Sequence, residues 1–229
     1  MLCRLHVPLR RPEDVIPHLA KQERHWKAGY SAMELACSWG KAQGLPAAVR
    51  EVLAGCPHYA GAELIDGFFE REVDLGTPGR NSQTDLMVVL GIGDELAIMA
   101  VEGKAEESFG ELVAEWLRTD EQGGKARRLA RLCETLCLDP KSVSALRYQL
   151  LHRTASAIYE ARRYRARHAV MLVQSFSAAS SWFDDFTAFS AAMGTAVSSP
   201  GEVSDNCTCE GVSLRLAWLA DRPSTLPAV

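Results

Sequence analysis

Two short segments in the first half of the chain are apolar at almost every position. Residues 84–90 contain Leu-Met-Val-Val-Leu after a polar start, and residues 96–101 are Leu-Ala-Ile-Met-Ala-Val. Strands that are apolar on both faces lie in a sheet that is covered on both sides. A third such segment, 168–176, predicts another buried strand, and residues 64–75 and 212–219 predict two more.

Segments with the helical spacing of apolar residues alternate with these strands. The pattern predicts a surface loop over 197–211, a helix that begins at Ser31, and further helices over 46–53, 109–117, 129–138, 144–164 and 181–193. The element order is α-β-β-β-α-β-α-β, with an antiparallel meander first and a crossover helix later. This order predicts an α/β fold in which helices flank a mixed central β-sheet.

Composition favours one domain over residues 1–229. The chain is 47% hydrophobic, which is enough for a core that needs no disulfide or structural metal. Its formal net charge of −4 argues against a protein that coats nucleic acid without specificity, although a locally basic cleft remains compatible with it.

Seven cysteines and a beginning without a signal-peptide pattern predict free thiols and a cytoplasmic protein. No apolar run reaches the length of a membrane span, so we expect no membrane partner. Cys207 and Cys209 lack the spacing and the second ligand pair of a zinc site, and we interpret them as incidental thiols of the 197–211 loop.

The two apolar strands can be paired by their turn. If Gly93 and Asp94 are the loop residues of a hairpin, counting outward along both strands places Asp85 opposite Glu102. Glycine at the first loop position suits a type II′ turn. Directly opposed residues share a face of the sheet, and Lys104 projects from that face if the strand continues. The register therefore predicts two carboxylates and a lysine at one end of an apolar hairpin.

This group of charges has two interpretations. Two adjacent carboxylates repel each other unless a positive group lies between them. A divalent cation such as Mg²⁺ would satisfy both and leave Lys104 to act on a bound water, which is the chemistry of phosphodiester hydrolysis. Alternatively, Glu102 and Lys104 form a strand-end ion pair, and Asp85 is a turn residue.

These residues resemble the signature of the PD-(D/E)XK, or restriction-endonuclease-like, superfamily. Thr84-Asp85 stands where the superfamily has Pro-Asp, and Glu102-Gly103-Lys104 stands for its acidic-x-Lys motif. Thr84 is a departure at a position that binds no metal. The resemblance covers residues 31–176, which would form the α-β-β-β-α-β core, and it leaves residues 177–229 as C-terminal additions. Residues 146–154 and 182–185 resemble an uncharacterised bacterial family within the superfamily.

The resemblance implies roles for individual residues. Asp85 and Glu102 would ligate Mg²⁺ or Mn²⁺ through their carboxylates, Gly103 through its carbonyl, and Lys104 would serve the water. A further glutamate from the first helix is frequent in such families, and Glu34 fits that place. Glu34 equally matches a capping box that begins at Ser31. Glu70, in the first strand, is a weaker candidate, and its alternative interpretation is an exposed strand carboxylate.

The helix over 144–164 carries polar residues at helical spacing. Gln149 and Arg153 lie on one face with His152, which is either a solvated face or one that approaches the site and binds phosphate. Arg80, in the loop before the second strand, would join them. Four arginines follow at the helix end, and they either complement the helix dipole or hold a nucleic-acid backbone; they are Arg162, Arg163, Arg165 and Arg167.

The sequence therefore predicts a Mg²⁺-dependent nuclease, with DNA a better substrate than RNA because the superfamily favours DNA. Its partner would be nucleic acid, and a homodimer is compatible with the pattern. The alternative is a catalytically inactive descendant of the fold that binds a protein or nucleic acid. Action on a small phosphorylated molecule is disfavoured, because no glycine-rich phosphate loop is present.

Overall fold

The computed structural model describes residues 9–19, 26–77, 79–120 and 123–223. Its strands are β1 Glu63–Val73, β2 Ser82–Ile92, β3 Glu95–Lys104, β4 His168–Ser175, β5 Cys207–Cys209 and β6 Val212–Ala220. Its α-helices are α1 Ser31–Gly40, α2 Ala47–Ala54, α3 Val113–Leu117, α4 Gly124–Leu136, α5 Tyr148–Tyr164 and α6 Phe183–Ala192, and two 3₁₀ segments cover Pro12–His18 and Pro57–Tyr59. Among the described residues, no helix combines the length and the apolarity that a membrane crossing requires.

The six strands form one mixed sheet in the order β1-β2-β3-β4-β6-β5. The first three strands are an antiparallel meander, and β3, β4 and β6 are parallel neighbours. The short β5 pairs antiparallel with β6 at the other edge. The predicted α/β fold with a mixed central sheet flanked by helices is confirmed.

The β2–β3 hairpin has the predicted register. The pairs run from Ile92↔Glu95 to Leu86↔Val101. Gly93 has a φ of +56°, whereas Asp94 is not among the residues with positive φ. A positive φ at only the first loop residue is what a type II′ turn requires. One further step along this register places Asp85 opposite Glu102.

Helices cover both faces of the sheet. Alternate residues of β2 and β3 pack against α1 and α2 on one face, among them Val88 and Met99. Their neighbours, among them Val89 and Ile98, pack against α5 on the other face, and all four side chains are at most 4% exposed. Burial on two sides explains why both strands lack the alternating pattern of a half-exposed sheet.

The helix predicted over 144–164 begins later, at Tyr148. Residues 144–146 form a turn and a bend, Arg147 bridges to Leu112, and the amide of Val113 donates to the carbonyl of Leu146 at 2.8 Å. The apolar side chains of Val143 and Leu146 are buried in the core although neither residue is helical. Pairing with a distant segment has therefore overridden the local pattern.

The predicted surface loop over 197–211 is wrong in its last part, which contains β5. Glu210 and Gly211 have φ values of 47° and 78°, and they close a two-residue hairpin between β5 and β6. Two consecutive positive φ values indicate a type I′ turn. Cys209 is 1% exposed, so this thiol belongs to the core rather than to a loop.

Candidate metal centre

The ends of β2 and β3 bring Asp85, Glu102 and Lys104 together. The amide of Gly103 donates to Oδ2 of Asp85 at 2.9 Å, which fixes that carboxylate against the neighbouring strand. Glu102 and Lys104 are 2% and 4% exposed, and Lys104 Nζ lies 3.0 Å from Glu102 Oε1. The predicted proximity of the three charged groups is confirmed, as is the ion pair between Glu102 and Lys104.

Gln149 of α5 completes a triangle with this ion pair. Its amide nitrogen donates to Glu102 Oε1 at 2.6 Å, and its amide oxygen accepts from Lys104 Nζ at 3.0 Å. The ammonium group of Lys104 also lies over the face of the Phe109 ring, with Nζ 5.0 Å from the ring centroid. The ammonium group is therefore held in one position by a carboxylate, an amide and an aromatic face.

Arg153, one helical turn after Gln149, bridges the two carboxylates. Its Nε donates to Glu102 Oε2 at 2.5 Å, and Nη2 lies 3.7 Å from Asp85 Oδ1. The side chain of Asp85 retains 25% exposure, against 2% for Glu102. Solvent therefore reaches this group of residues at Asp85, whereas Glu102 is satisfied entirely from inside the protein.

A backbone irregularity places a third carboxylate, Glu70, beside the first two. Glu70 has a φ of 52°, a left-handed conformation that costs about 1–3 kcal/mol in a non-glycine residue. It lies between the pairs Phe69↔Leu86 and Arg71↔Thr84, which places it opposite Asp85. Strained residues of this kind persist where the surrounding structure holds them, and they occur frequently at functional sites.

The irregularity interrupts the alternation of side chains in β1. Phe68 packs in the core layer of α5, and Arg71, three residues later, pairs with Glu160 of α5 at 3.1 Å. In a regular strand, residues three apart point to opposite faces. The left-handed backbone of Glu70 between them turns the strand, so that Phe68 and Arg71 both face α5. The carboxylate of Glu70 accepts a hydrogen bond from Gln83 Nε2 at 2.8 Å.

We refer to the resulting group as the strand-end cluster, which consists of Glu70, Asp85, Glu102, Lys104, Gln149 and Arg153. Its three carboxylates face two cations.

Burial, and then the charge of Glu102, raise the pKa of Asp85 to about 7. Burial, and then Asp85, raise the pKa of Glu70 to about 8. Burial also acts to raise the pKa of Glu102, but Arg153 and Lys104 outweigh it and lower that pKa. The cluster therefore contains one more carboxyl group than it has cations, and burial together with mutual repulsion keeps protons on Asp85 and Glu70 up to neutral pH.

This imbalance predicts an unusual pH dependence of stability. In the folded chain, the pKa values of about 7 for Asp85 and about 8 for Glu70 exceed the ordinary carboxyl range near 4. Between these limits the folded state binds more protons than the unfolded state, so raising the pH favours unfolding. We expect the free energy of unfolding in metal-free buffer to fall from about pH 4 to about pH 8, measured by chemical denaturation.

The double variant Asp85→Asn, Glu70→Gln should lose most of this slope. The control Glu72→Gln removes an exposed carboxylate of the same strand and should keep the slope. An equal slope in the wild type and in the double variant would contradict the charge imbalance.

Glu34 occupies a different position from the other predicted site residues. It is 1% exposed in α1, and its Oε1 accepts the amide of Gly29 at 2.8 Å. The predicted capping box is wrong, because Tyr30 rather than Ser31 is the N-cap and makes no side-chain cap. The start of α1 nevertheless lies against the site, since a Cβ on Gly103 would meet Ser31 at 3.4 Å.

Arg80 and the arginines at the C-terminal end of α5 lie outside the strand-end cluster. Arg80 is exposed in the loop between β1 and β2, two residues before Ser82. Ser82 lies 3.4 Å from Arg153 and 2.9 Å from His152 Nδ1. Arg162 pairs with Glu210, and Arg163 pairs with Glu160 at 2.9 Å. Two of the four predicted arginines are therefore in ion pairs, with glutamates that also pair with Arg71 and Arg131.

A cleft of about 790 Å³ runs along β1 and reaches Glu70. Arg10 and Arg11 line it on one side, and Trp39 and Phe68 contribute aromatic surface. The cleft joins the edge of the strand-end cluster to solvent through a partly basic wall. Sequence reasoning did not predict it, because residues 9–12 and β1 are far apart in the chain.

Together, the fold and this site define a mixed α/β protein with a carboxylate–lysine–arginine centre where two antiparallel strands end. The DUF6946 family, described as a domain of unknown function, matches residues 8–223, and the chain belongs to this family. The comparison with curated proteins finds no significant match, and neither does the comparison with solved structures.

Proposed function

We propose that this protein is a Mg²⁺-dependent nuclease that hydrolyses phosphodiester bonds of nucleic acid, DNA in preference to RNA. The observation that carries the proposal is the convergence of Asp85 and Glu102 with Lys104 at the ends of paired strands, with Asp85 open to solvent. The resemblance of these residues to the PD-(D/E)XK signature supports the reaction and the preference for DNA.

The donor set of the strand-end cluster fits a hard divalent cation. Mg²⁺ prefers oxygen ligands, and it uses one or two carboxylates together with water and substrate phosphate. Asp85 and Glu102 would hold the ion, and the resemblance adds the carbonyl of Gly103. Glu70 supplies a third carboxylate from β1. When bound, the ion would lower the pKa of a water and screen the charge of the phosphate.

The chain itself supplies three further functions at this site. Lys104, fixed by Glu102 and Gln149, presents an ammonium group that can donate to a water or to a phosphate oxygen. Arg153 offers a guanidinium with the geometry for phosphate. Arg80 lies outside the cluster, in the exposed loop before β2, and would contact the backbone of the bound nucleic acid there. These groups position the reacting phosphate and stabilise charge that develops on it.

Calorimetric titration of the protein with Mg²⁺ and Mn²⁺ tests the site. We expect saturable binding to the wild type that is lost in Asp85→Asn, because this substitution keeps the shape of the side chain and removes its charge. The matched control is Glu72→Gln, which removes an exposed carboxylate from β1 and should bind as the wild type does. A wild type that binds neither ion would rule out the proposal.

A second candidate function, a catalytically inactive nuclease fold that binds a protein or nucleic-acid partner, is favoured by one observation. Arg153 spans Glu102 and Asp85, where a cation between the two carboxylates would lie. Incubation with plasmid DNA, single-stranded DNA and RNA in Mg²⁺ separates the two functions. Cleavage that requires Mg²⁺ supports the nuclease, whereas retention of uncut nucleic acid that is unaffected by Glu102→Ala supports the binding protein.

A further inference from the structure

Three possible metal ligands converge at the end of the sheet opposite the strand-end cluster. Glu95 begins β3, His168 begins β4, and His58 lies in the 3₁₀ segment Pro57–Tyr59. One candidate ligand atom from each residue lies within 4.8 Å of the other two. Glu95 and Glu102 are seven residues apart in β3, which corresponds to roughly 23 Å at about 3.3 Å per residue. The two groups of residues are therefore separate sites.

The contacts within this group are close but incomplete. His168 Nε2 lies 3.3 Å from Glu95 Oε2, and the imidazole centroids of His58 and His168 are 4.0 Å apart. Nε2 of His58 is buried and has no hydrogen-bond partner among the described residues. A buried polar atom without a partner carries an energetic penalty, because it has lost its hydrogen bonds to water. An additional group between these side chains would remove that penalty.

We propose that His58, Glu95 and His168 form a second metal site, for a transition-metal dication of the Zn²⁺ class. Two imidazoles and one carboxylate are a common ligand set for such ions, whereas Mg²⁺ prefers oxygen ligands alone. Metal–ligand bonds of about 2.0–2.2 Å place tetrahedral ligand atoms roughly 3.3 Å apart. His168 and Glu95 already have this separation. His58 has to move closer by a small side-chain adjustment.

The exposure of Glu95 determines what kind of metal site this is. Its side chain is 49% exposed. Three side chains leave the fourth position of a tetrahedral ion open, and this position would face solvent and hold water or an external ligand. The three ligands come from the segment after α2, from the β2–β3 hairpin and from the start of β4. A bound ion would join these three parts of the chain, and it would stabilise the folded state because the unfolded chain does not present the ligands together.

Titration of metal-free protein with Zn²⁺, followed by calorimetry, tests the proposal. We expect one ion per chain, with affinity reduced by more than about 10-fold in Glu95→Gln and in His168→Asn. Asp94→Asn is the matched control, because it removes an exposed carboxylate from the same turn and should bind as the wild type does. Asp85→Asn should also leave Zn²⁺ binding unchanged, which separates this site from the proposed Mg²⁺ site.

Cobalt spectroscopy identifies the ligand atoms. Co²⁺ bound by imidazole and carboxylate gives ligand-field bands without the sulfur-to-cobalt charge-transfer band that thiolates produce. A thiolate band would assign the ion to cysteines such as Cys207 and would overturn the proposal. Absence of stoichiometric Zn²⁺ binding would overturn it too, as would full affinity in Glu95→Gln and His168→Asn. With any of these results, His168 and Glu95 make a hydrogen-bonded contact only.

Discussion

Replacing Lys104 by alanine is expected to reduce divalent-dependent cleavage of DNA by about 10²–10⁴-fold, while binding of Mg²⁺ and the fold are retained. The reason is that Lys104 Nζ is held 3.0 Å from both Glu102 and Gln149, at the place where a nucleophilic water would be oriented. Glu102 keeps its partner Arg153 in the variant, so the buried carboxylate is not left without a counter-charge. The initial rate of plasmid cleavage measures the effect.

Lys41→Ala is the matched control for this experiment. Lys41 is an exposed lysine at the end of α1, and its removal changes the net charge equally without touching the strand-end cluster. Circular dichroism and Mg²⁺ calorimetry establish that both variants fold and bind the ion. If Lys104→Ala cleaves at the rate of Lys41→Ala, Lys104 has no part in the reaction.

Replacing Arg153 by methionine is expected to lower the free energy of unfolding by about 3–5 kcal/mol in metal-free buffer. Arg153 faces two carboxylates, so its removal leaves Glu102 and Asp85 with a single cation, and an uncompensated buried charge is more costly than the pair itself is stabilising. Glu102 would retain Lys104 alone, and Asp85 would lose its contact with the guanidinium. Urea denaturation at neutral pH measures the loss.

The metal dependence of this loss discriminates between the two candidate functions. If Asp85 and Glu102 form a cation site, Mg²⁺ replaces the lost positive charge and restores stability in Arg153→Met. The matched control is Arg71→Met, which breaks the buried pair with Glu160 on the same face of the sheet and offers no cation site. An equal response of both variants to Mg²⁺ would contradict the metal site.

The hairpin and its two opposed carboxylates could be predicted from the sequence because the determinants are local. Gly93 fixes a two-residue turn, and the turn fixes the register of every later pair. The apolar runs on both sides of Gly93 then indicate two buried strands. Gln149 and Arg153 could be predicted as a shared helix face, because they are four residues apart in a continuous helix. Their contacts with Glu102 depend on how that helix packs.

Features that depend on distant parts of the chain could not be predicted. The left-handed Glu70 sits in a segment whose residues favour a regular strand, and its position depends on the pairing with β2 and on the hydrogen bond from Gln83. The bridge formed by Arg153 depends on a helix more than fifty residues after Asp85, as the separation in the sequence indicates. His58 and His168 are brought together by the sheet order, which no local pattern encodes.

The left-handed Glu70 has one more consequence, for the behaviour of the protein in concentrated solution. β1 is the first strand of the sheet, and an exposed edge strand of eleven residues is a template on which a second chain can add a strand. A break in the alternation at Glu70, about two thirds of the way along β1 and among the charges of Asp66 and Glu72, interrupts that template. The residue that adds a third carboxylate to the cluster therefore also disfavours the addition of a second chain at this edge.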